Sequence, residues 1–388
     1  MMETYVRTAK AVPRFLRLVP FAAMAMATQA GAAAQGEPIQ LLPSKQNLAS
    51  QPVPVSPQMA TAQRILDGQV QSLGAAFNGD IGIAVKDLQT GWTSQFDGAT
   101  YFPQQSVSKF WVTLTALDKA DRGELDLQKQ VTLQREDLTL FNQPIARLIK
   151  ADGGYTTTLS ELIRRAMQHS DNTCNDFVLW RAGGPEAVRD FLREKGITGI
   201  RFGPGERLLQ SQIAGMNWKQ SYSIGNAFTA ARASVPTETR KTAFDRYIAN
   251  PIDGATPLGI VDALDMLKKG KLLSNASTQR LLDIMANTRT GPQRLKGGLA
   301  PGWKLAHKTG TGQNFDGATA GYNDIGILTA PDGRSYAVAV MIRRTYAPIP
   351  ERMAVMQATV RSVIAYQQNL QGYDVAGGSM TRSSSGTH

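Results

Sequence analysis

Residues 321–345 read "GYNDIGILTAPDGRSYAVAVMIRRT". Two runs rich in Ile, Leu, Val and Tyr flank Pro331-Asp332-Gly333, a composition that turns the chain back and predicts an antiparallel hairpin. A second such unit lies near the other end, where "IGIAVKDLQTGWTSQFDG" (81–98) alternates, breaks at Thr90-Gly91 and resumes. Residues 303–311, "WKLAHKTGT", add one more strand beside the C-terminal hairpin. Hairpins at both ends bury their apolar faces only by pairing, so both ends are expected in one antiparallel sheet. The sequence between them has a helical period. "LSELIRRAMQH" (159–169) carries an apolar stripe, and "GGPEAVRDFLREKG" (183–196) opens on Pro185 and stops at Gly196. "TPLGIVDALDMLKKG" (256–270) and "ASTQRLLDIMANT" (276–288) each have a cap and an apolar face, and a last helix spans about 350–368. The predicted fold is α/β: an antiparallel sheet of N- and C-terminal strands flanked by helices, with an inserted all-helical lobe.

The ends of the chain differ from this core. Arg7, Lys10, Arg14 and Arg17 precede the apolar "LVPFAAMAMATQAGAAA", which closes on Ala32-Ala33-Ala34. That is the pattern of a signal peptide over residues 1–34, cleaved near Ala34. Export to the periplasm or medium follows, with no stable membrane association after cleavage. Residues 35–60 are rich in Pro, Gln and Ser and predict a linker, 61–371 a catalytic domain, and 372–388 a disordered tail. Cys174 is the only cysteine, so no internal disulfide supports the exported chain. Signal removal takes away four basic residues and one acidic one, lowering the formal charge from +11 to +8. The basic residues are scattered rather than interleaved with aromatics, which argues against nucleic acid. The expected partner is a small molecule and the expected state a monomer.

The chemistry is narrowed by what is scarce. The three histidines, His169, His307 and His388, are too few and too dispersed for a zinc hydrolase, and neither His-Glu-x-x-His nor Gly-x-Ser-x-Gly occurs. No metal or other cofactor is expected. In "PQQSVSKFWVTLTALDKAD" (103–121), Ser106 and Lys109 stand three apart at the head of an apolar helix and share a face. A lysine desolvated beside Phe110 and Trp111 has a lowered pKa and accepts a seryl proton, and the helix N-terminus favours negative charge at Ser106. Alone, such a pair arises by chance about once in a chain this long, and a helix cap is the plainer reading. Ser170-Asp171-Asn172, between two helices, and Lys308-Thr309-Gly310, on a strand, complete an ordered set that chance does not explain.

With these three motifs the chain resembles the class A β-lactamase family over roughly residues 65–368. The interval of 64 residues from Ser106 to Ser170 fits, as does Glu206, 36 residues further on in "GERLLQ", where the family has Glu-x-x-Leu-Asn. Leu209 matches, and Gln210 replaces the Asn. The resemblance implies hydrolysis of a β-lactam amide through a seryl acyl-enzyme, and resistance to these antibiotics. It assigns Ser106 as nucleophile, Lys109 or a water on Glu206 as acylation base, and Ser170 as proton relay to the leaving nitrogen. The backbone amides of Ser106 and Thr311 make the oxyanion hole. Asn172 holds the substrate's side-chain amide and Lys109; Lys308, Thr309 and Arg294 bind its carboxylate; Glu206 and Gln210 hold the hydrolytic water. Phe141 matches an aromatic gatekeeper, with a buried core Phe as the alternative. Cys174 and the two internal histidines are expected to be structural.

Departures from the family concern deacylation. Arg207 stands where a Pro follows the Glu with a cis bond, which without proline costs about 3 kcal/mol. Pro204 replaces an Arg, and Asn323 an arginine for which Arg294 is the substitute. Gln105 and Gly312 flank the site where some relatives have a disulfide. An insertion covers about 214–253, positioned to brace the loop or cover the pocket. Two alternatives stay open: a penicillin-binding peptidase acting on D-Ala-D-Ala peptides, and a receptor that is acylated and deacylates slowly.

Overall fold

The computed structural model describes residues 56–378, with side chains to residue 371. The signal peptide, most of the linker and the last ten residues fall outside the described residues. Helix α1 (Pro57–Ala76) opens with Ser56 as cap, its hydroxyl accepting from the Met59 amide at 3.2 Å, and Pro57 in the first turn. The first helix therefore begins before residue 61, inside the stretch expected as linker: a Ser-Pro pair that looks like linker composition is also a helix start. Ala62, Leu66, Val70 and Gly74 bury one face of α1. A Cβ at Gly74 would lie 2.2 Å from the Phe96 ring, so only glycine lets the helix approach the sheet there.

Strands β1 (Asp80–Asp87), β2 (Thr93–Phe96), β7 (Lys304–Thr311), β9 (Ala318–Thr329) and β10 (Ser335–Thr345) form an antiparallel sheet ordered β2-β1-β10-β9-β7, and β8 (Asn314–Phe315) pairs with β9. Small pairs join β3 (Phe102–Pro103) to β6 (Gly254–Ala255) and β4 (Gln130–Leu133) to β5 (Tyr155–Thr158). The expected closure is present: β1 pairs β10, with Ile83 opposite Val340. The turn predicted at Pro331-Asp332-Gly333 sets Thr329 against Ser335, with Gly333 at φ +90°.

Helices cover both faces, which explains why β9 and β10 are buried almost throughout. Large residues of β1 and β10 (Ile81, Ile83, Val85, Val338, Val340, Ile342) face α1 and α11 (Ile349–Gly378). Small ones (Ala84, Ala337, Ala339) face the helical lobe and let α9 (Pro257–Lys268) settle close. The lobe comprises α2 (Lys109–Asp121), α3 (Leu159–Gln168), α4 (Asn172–Arg181), α5 (Gly184–Glu194) and α10 (Asn275–Ala286). α2 runs through its centre, buried without interruption from Lys109 to Asp118. Between α6 (Glu206–Ile213) and α9 the insertion folds into α7 (Ala227–Ser234) and α8 (Thr237–Ala249).

One boundary is corrected: α11 continues to Gly378, past the point where a tail was expected at Gly372, because a single glycine costs a helix only about 1 kcal/mol and does not end it. No helix of the described residues is long and apolar enough to cross a membrane.

Leu114, fully buried on α2, tests the load on this helix. Leu114→Ala is expected to lower unfolding free energy by about 2–5 kcal/mol in urea titrations; a loss under about 1 kcal/mol would contradict the packing described.

Candidate active site

The turn Gln105–Ser108 delivers Ser106 to the edge of the lobe, and α2 starts at Lys109. Ser106 is therefore no cap of α2. It is displayed by a turn whose first residue, Gln105, has φ +53°. That left-handed conformation is held from three sides. The Gln105 amide donates to Asp253 Oδ2 at 2.8 Å, its Nε2 donates to the Tyr247 hydroxyl at 2.6 Å, and its Oε1 accepts from Gln210 Nε2 at 2.9 Å. Lys109 Nζ donates to Ser106 Oγ at 2.8 Å and lies 3.5 Å from Glu206 Oε2. Lys109 is wholly buried and Glu206 nearly so.

From the opposite side β7 brings Lys308, also wholly buried, whose ammonium donates to Ser170 Oγ at 2.9 Å and to the Thr309 carbonyl at 2.8 Å. Burial pushes Lys308 well below its usual range; the charges of Lys109 and Arg294 add to this, while Asp324 and Glu206 oppose it. Ser170 itself has φ +57° and is fixed by Asn142, whose amide donates to the His169 and Ser170 carbonyls. Asp171 caps α4 through the Cys174 amide at 3.0 Å and ties down Ile145 at 2.7 Å. Thr309 pairs its hydroxyl with that of Thr290 at 2.7 Å. Ser106, Ser170, Asn172, Glu206, Gln210, Thr309, Thr311 and Arg294 thus line one cleft of about 470 Å³.

The remaining expected residues are modified by their surroundings. Asn172 makes no hydrogen bond to Lys109, contrary to expectation: its Nδ2 is taken by the Leu140 carbonyl at 2.8 Å, while Lys109 turns to Ser106 and Glu206. Asn172 Oδ1 is buried without a protein partner. Arg294 reaches the cleft but is largely committed. Nη1 donates to the Gly310 and Asn323 carbonyls at 2.9 and 2.7 Å, Nη2 to Thr311 Oγ1 at 2.5 Å, and the guanidinium lies 3.7 Å over the Tyr322 ring. Asn323, where an arginine was missed, is a buried tie between the Pro103 carbonyl and the Ile342 amide. Phe141 is half exposed at the cleft mouth, which overturns the core alternative, and its ring meets Phe228 of α7 edge-on at 5.1 Å. His307 points away from Lys308 into a buried contact with Asp324 at 2.9 Å, and burial pushes the Cys174 thiol up.

Several residues of the site were invisible in the sequence. Asp176 on α4 accepts from the Glu206 amide at 2.9 Å and the Arg207 amide at 3.4 Å, so it holds the first turn of α6. Gln313 Nε2 donates to Gln210 Oε1 at 2.8 Å, and Gln210 Nε2 donates to Glu206 Oε1 at 3.0 Å. Tyr247 and Asp253, from the end of the insertion, close the network on Gln105. The only signal for any of these was position: Gln105 precedes Ser106 and Gln313 follows the Lys-Thr-Gly strand. All peptide bonds of the described residues are trans, including the one before Arg207.

An antiparallel sheet of the two chain ends, an inserted helical lobe, and a serine–lysine cleft between them make up the class A β-lactamase architecture. Comparison with known proteins agrees. A family model described as "Beta-lactamase enzyme family" matches residues 65–367. Extended-spectrum beta-lactamase PER-1 of Pseudomonas aeruginosa is 28% identical over 286 residues, 72% of this chain and 80% of that protein. Beta-lactamase VEB-1 of the same organism is 27% identical, over 71% of this chain and 81% of its own. Among solved structures, a beta-lactamase from Chitinophaga pinensis superposes with TM-score 0.63 at 28% identity, covering 77% of this chain and 97% of that one. TLA-3 extended-spectrum beta-lactamase gives 0.65 at 25% identity, covering 79% and 99%. The chain belongs to the beta-lactamase enzyme family, hydrolases acting on cyclic amides.

Buried acids in the brace make its stability depend on pH. Burial pushes Asp253 up to about 6 from an ordinary 3.8, and burial with the neighbouring Glu206 does the same to Asp176. A raised carboxyl binds its proton more tightly folded than unfolded. Its contribution is full below about pH 4 and is lost as pH rises through about 6. Asp253→Asn should therefore flatten the fall in urea-unfolding free energy between pH 4.5 and 7.5 by up to about 2 kcal/mol relative to the wild type; parallel pH profiles would refute this.

Proposed function

We propose that this protein is an exported serine β-lactamase that opens the lactam amide through a seryl acyl-enzyme and so confers β-lactam resistance. The observation that carries the reading is the chain of contacts from Ser106 Oγ to Lys109 Nζ, 2.8 Å, and on to Glu206 Oε2, 3.5 Å. Ser106 Oγ attacks the lactam carbonyl as its proton passes to Lys109 or, through a water, to Glu206. The carbonyl oxygen takes the charge and is held by the amides of Ser106 and Thr311, where one donor is worth about 3 kcal/mol. The C–N bond then breaks, and the nitrogen takes a proton relayed through the Ser170 hydroxyl, which receives one in turn from the Lys308 ammonium that donates to it. Lys308, Thr309 and the free N–H groups of Arg294 receive the ring carboxylate. Asn172 and Phe141 border the side-chain amide.

Deacylation requires a water between Glu206 and Gln210. Gln210 is long enough to hold Glu206 directly and is itself fixed by Gln105 and Gln313, which supports a positioned rather than a mobile carboxylate. That favours turnover over the acylated-receptor and peptidase alternatives. Signal removal near Ala34 and a monomeric periplasmic form belong to the same reading.

Purified mature protein mixed with a chromogenic cephalosporin is expected to give many turnovers, and Ser106→Ala almost none. Glu206→Gln should retain acylation and slow deacylation by at least about a hundredfold, leaving a one-to-one adduct by intact mass. A lasting adduct on the wild type would overturn the hydrolase reading, and unchanged turnover in Glu206→Gln would remove Glu206 from its role.

A further inference from the structure

The insertion forms one wall of the cleft. Phe228 and Arg232 are four residues apart on α7 and share a face. Phe228 packs against Phe141, and Arg232 lines the cleft beside Gln313 and Asn314. The Arg232 guanidinium is half-buried and donates to the Asn314 carbonyl. Among the described residues no carboxylate lies within ion-pair distance of it. Burial and the neighbouring Arg240 both push it below its usual range. With five N–H donors and one carbonyl engaged, Arg232 keeps charge and hydrogen-bonding capacity turned toward the cleft.

Its position relative to the other cations gives the ligand. Lys308 stands opposite Ile325 of β9, whereas Asn314 stands opposite Thr319, six residues along the same strand. That is about 20 Å of backbone along one cleft, which Thr309 lines near one end and Arg232 near the other. With the ring carboxylate of a lactam at Lys308 and Thr309, its acylamino substituent extends past Asn172 and Phe141 toward Arg232. Resting on the β-lactamase reading, we propose that Arg232 is a specificity-determining residue that pairs with a carboxylate on the acylamino side chain, so that dianionic β-lactams are preferred over their neutral-side-chain counterparts. A half-buried guanidinium and a carboxylate make a charge-assisted, bidentate pair.

The test uses a matched pair of cephalosporins differing only in a side-chain carboxylate or its primary amide. Wild-type mature protein should favour the carboxylate by about tenfold in kcat/KM, mainly through KM. Arg232→Gln should bring that ratio close to one, and Arg232→Lys, which keeps the charge but not the bidentate fork, should keep only part of it. If Arg232 merely pins α7 to the Asn314 loop, its loss will change both substrates together and leave the ratio intact; that outcome, or no preference in the wild type, overturns the proposal. Adducts without turnover would sink the hydrolase reading alone, since the same ratio is then read from acylation rates by intact mass. No reaction with either compound removes both.

Discussion

Two ammonium groups buried completely in one cleft set the terms for the rest of this structure. A cation removed from water is tolerated only if charge and hydrogen bonds are returned to it, and stripping one partner leaves an uncompensated charge costing several kcal/mol. Lys109 comes from the helical lobe and takes Ser106 and Glu206; Lys308 comes from the sheet and takes Ser170 and its own strand's Thr309 carbonyl. Ser170 belongs to the lobe, so the Lys308 bond crosses from one layer to the other. The contacts that prepare the serines are thus the contacts that dock the layers.

The same region concentrates backbone strain. Of the five non-glycine residues with positive φ among those described, Phe141 and Ser170 line the cleft and Gln105 directly precedes Ser106. Each costs on the order of 1 kcal/mol or more and persists only where its surroundings over-determine it. For Gln105 the surroundings are Asp253, Tyr247 and Gln210, and for Ser170 they are Asn142 and Lys308. Tyr247 and Asp253 lie on or just beyond α8, so the second half of the insertion braces the turn that displays Ser106, and its first half lines the cleft through Arg232.

How far the sequence could be read follows from the range of the forces involved. Hairpins at 81–98 and 321–345 were legible because strand alternation and turn chemistry are local, and their pairing followed from having no other way to bury both faces. Ser106, Lys109, Ser170, Lys308 and Glu206 were legible as spaced motifs; Ser106, Ser170 and Glu206 line one cleft, and the two buried lysines bond its serines. What failed was long-range competition for donors. Asn172 lost its expected link to Lys109 because the Leu140 carbonyl holds its amide, and Arg294 gave three of its bonds to the protein. Nothing near Asp176 or Asp253 marks them as buried carboxylates, since the Glu206 and Gln105 amides they accept from lie 30 and 148 residues away in sequence. The early start of α1 was hidden by Pro and Gln composition.

The replacement of proline by Arg207 looked like a defect of the deacylation loop. Geometry gives it another meaning. Proline has no N–H, but the amides of both Glu206 and Arg207 converge here on the Asp176 carboxylate. An acid at the N-terminus of α6 is favoured by the exposed amides and the helix dipole. The residue after Glu206 can complete this cap only if it carries an N–H. Arg207 also donates from its side chain to the Glu136 carbonyl at 2.9 Å and lies over the Trp218 ring, joining the start of α6 to the insertion. The loop that holds Glu206 is therefore fixed by a capped helix and by the insertion rather than by a proline turn. Arg207, Asp176 and Trp218 of the insertion therefore act together at the start of α6.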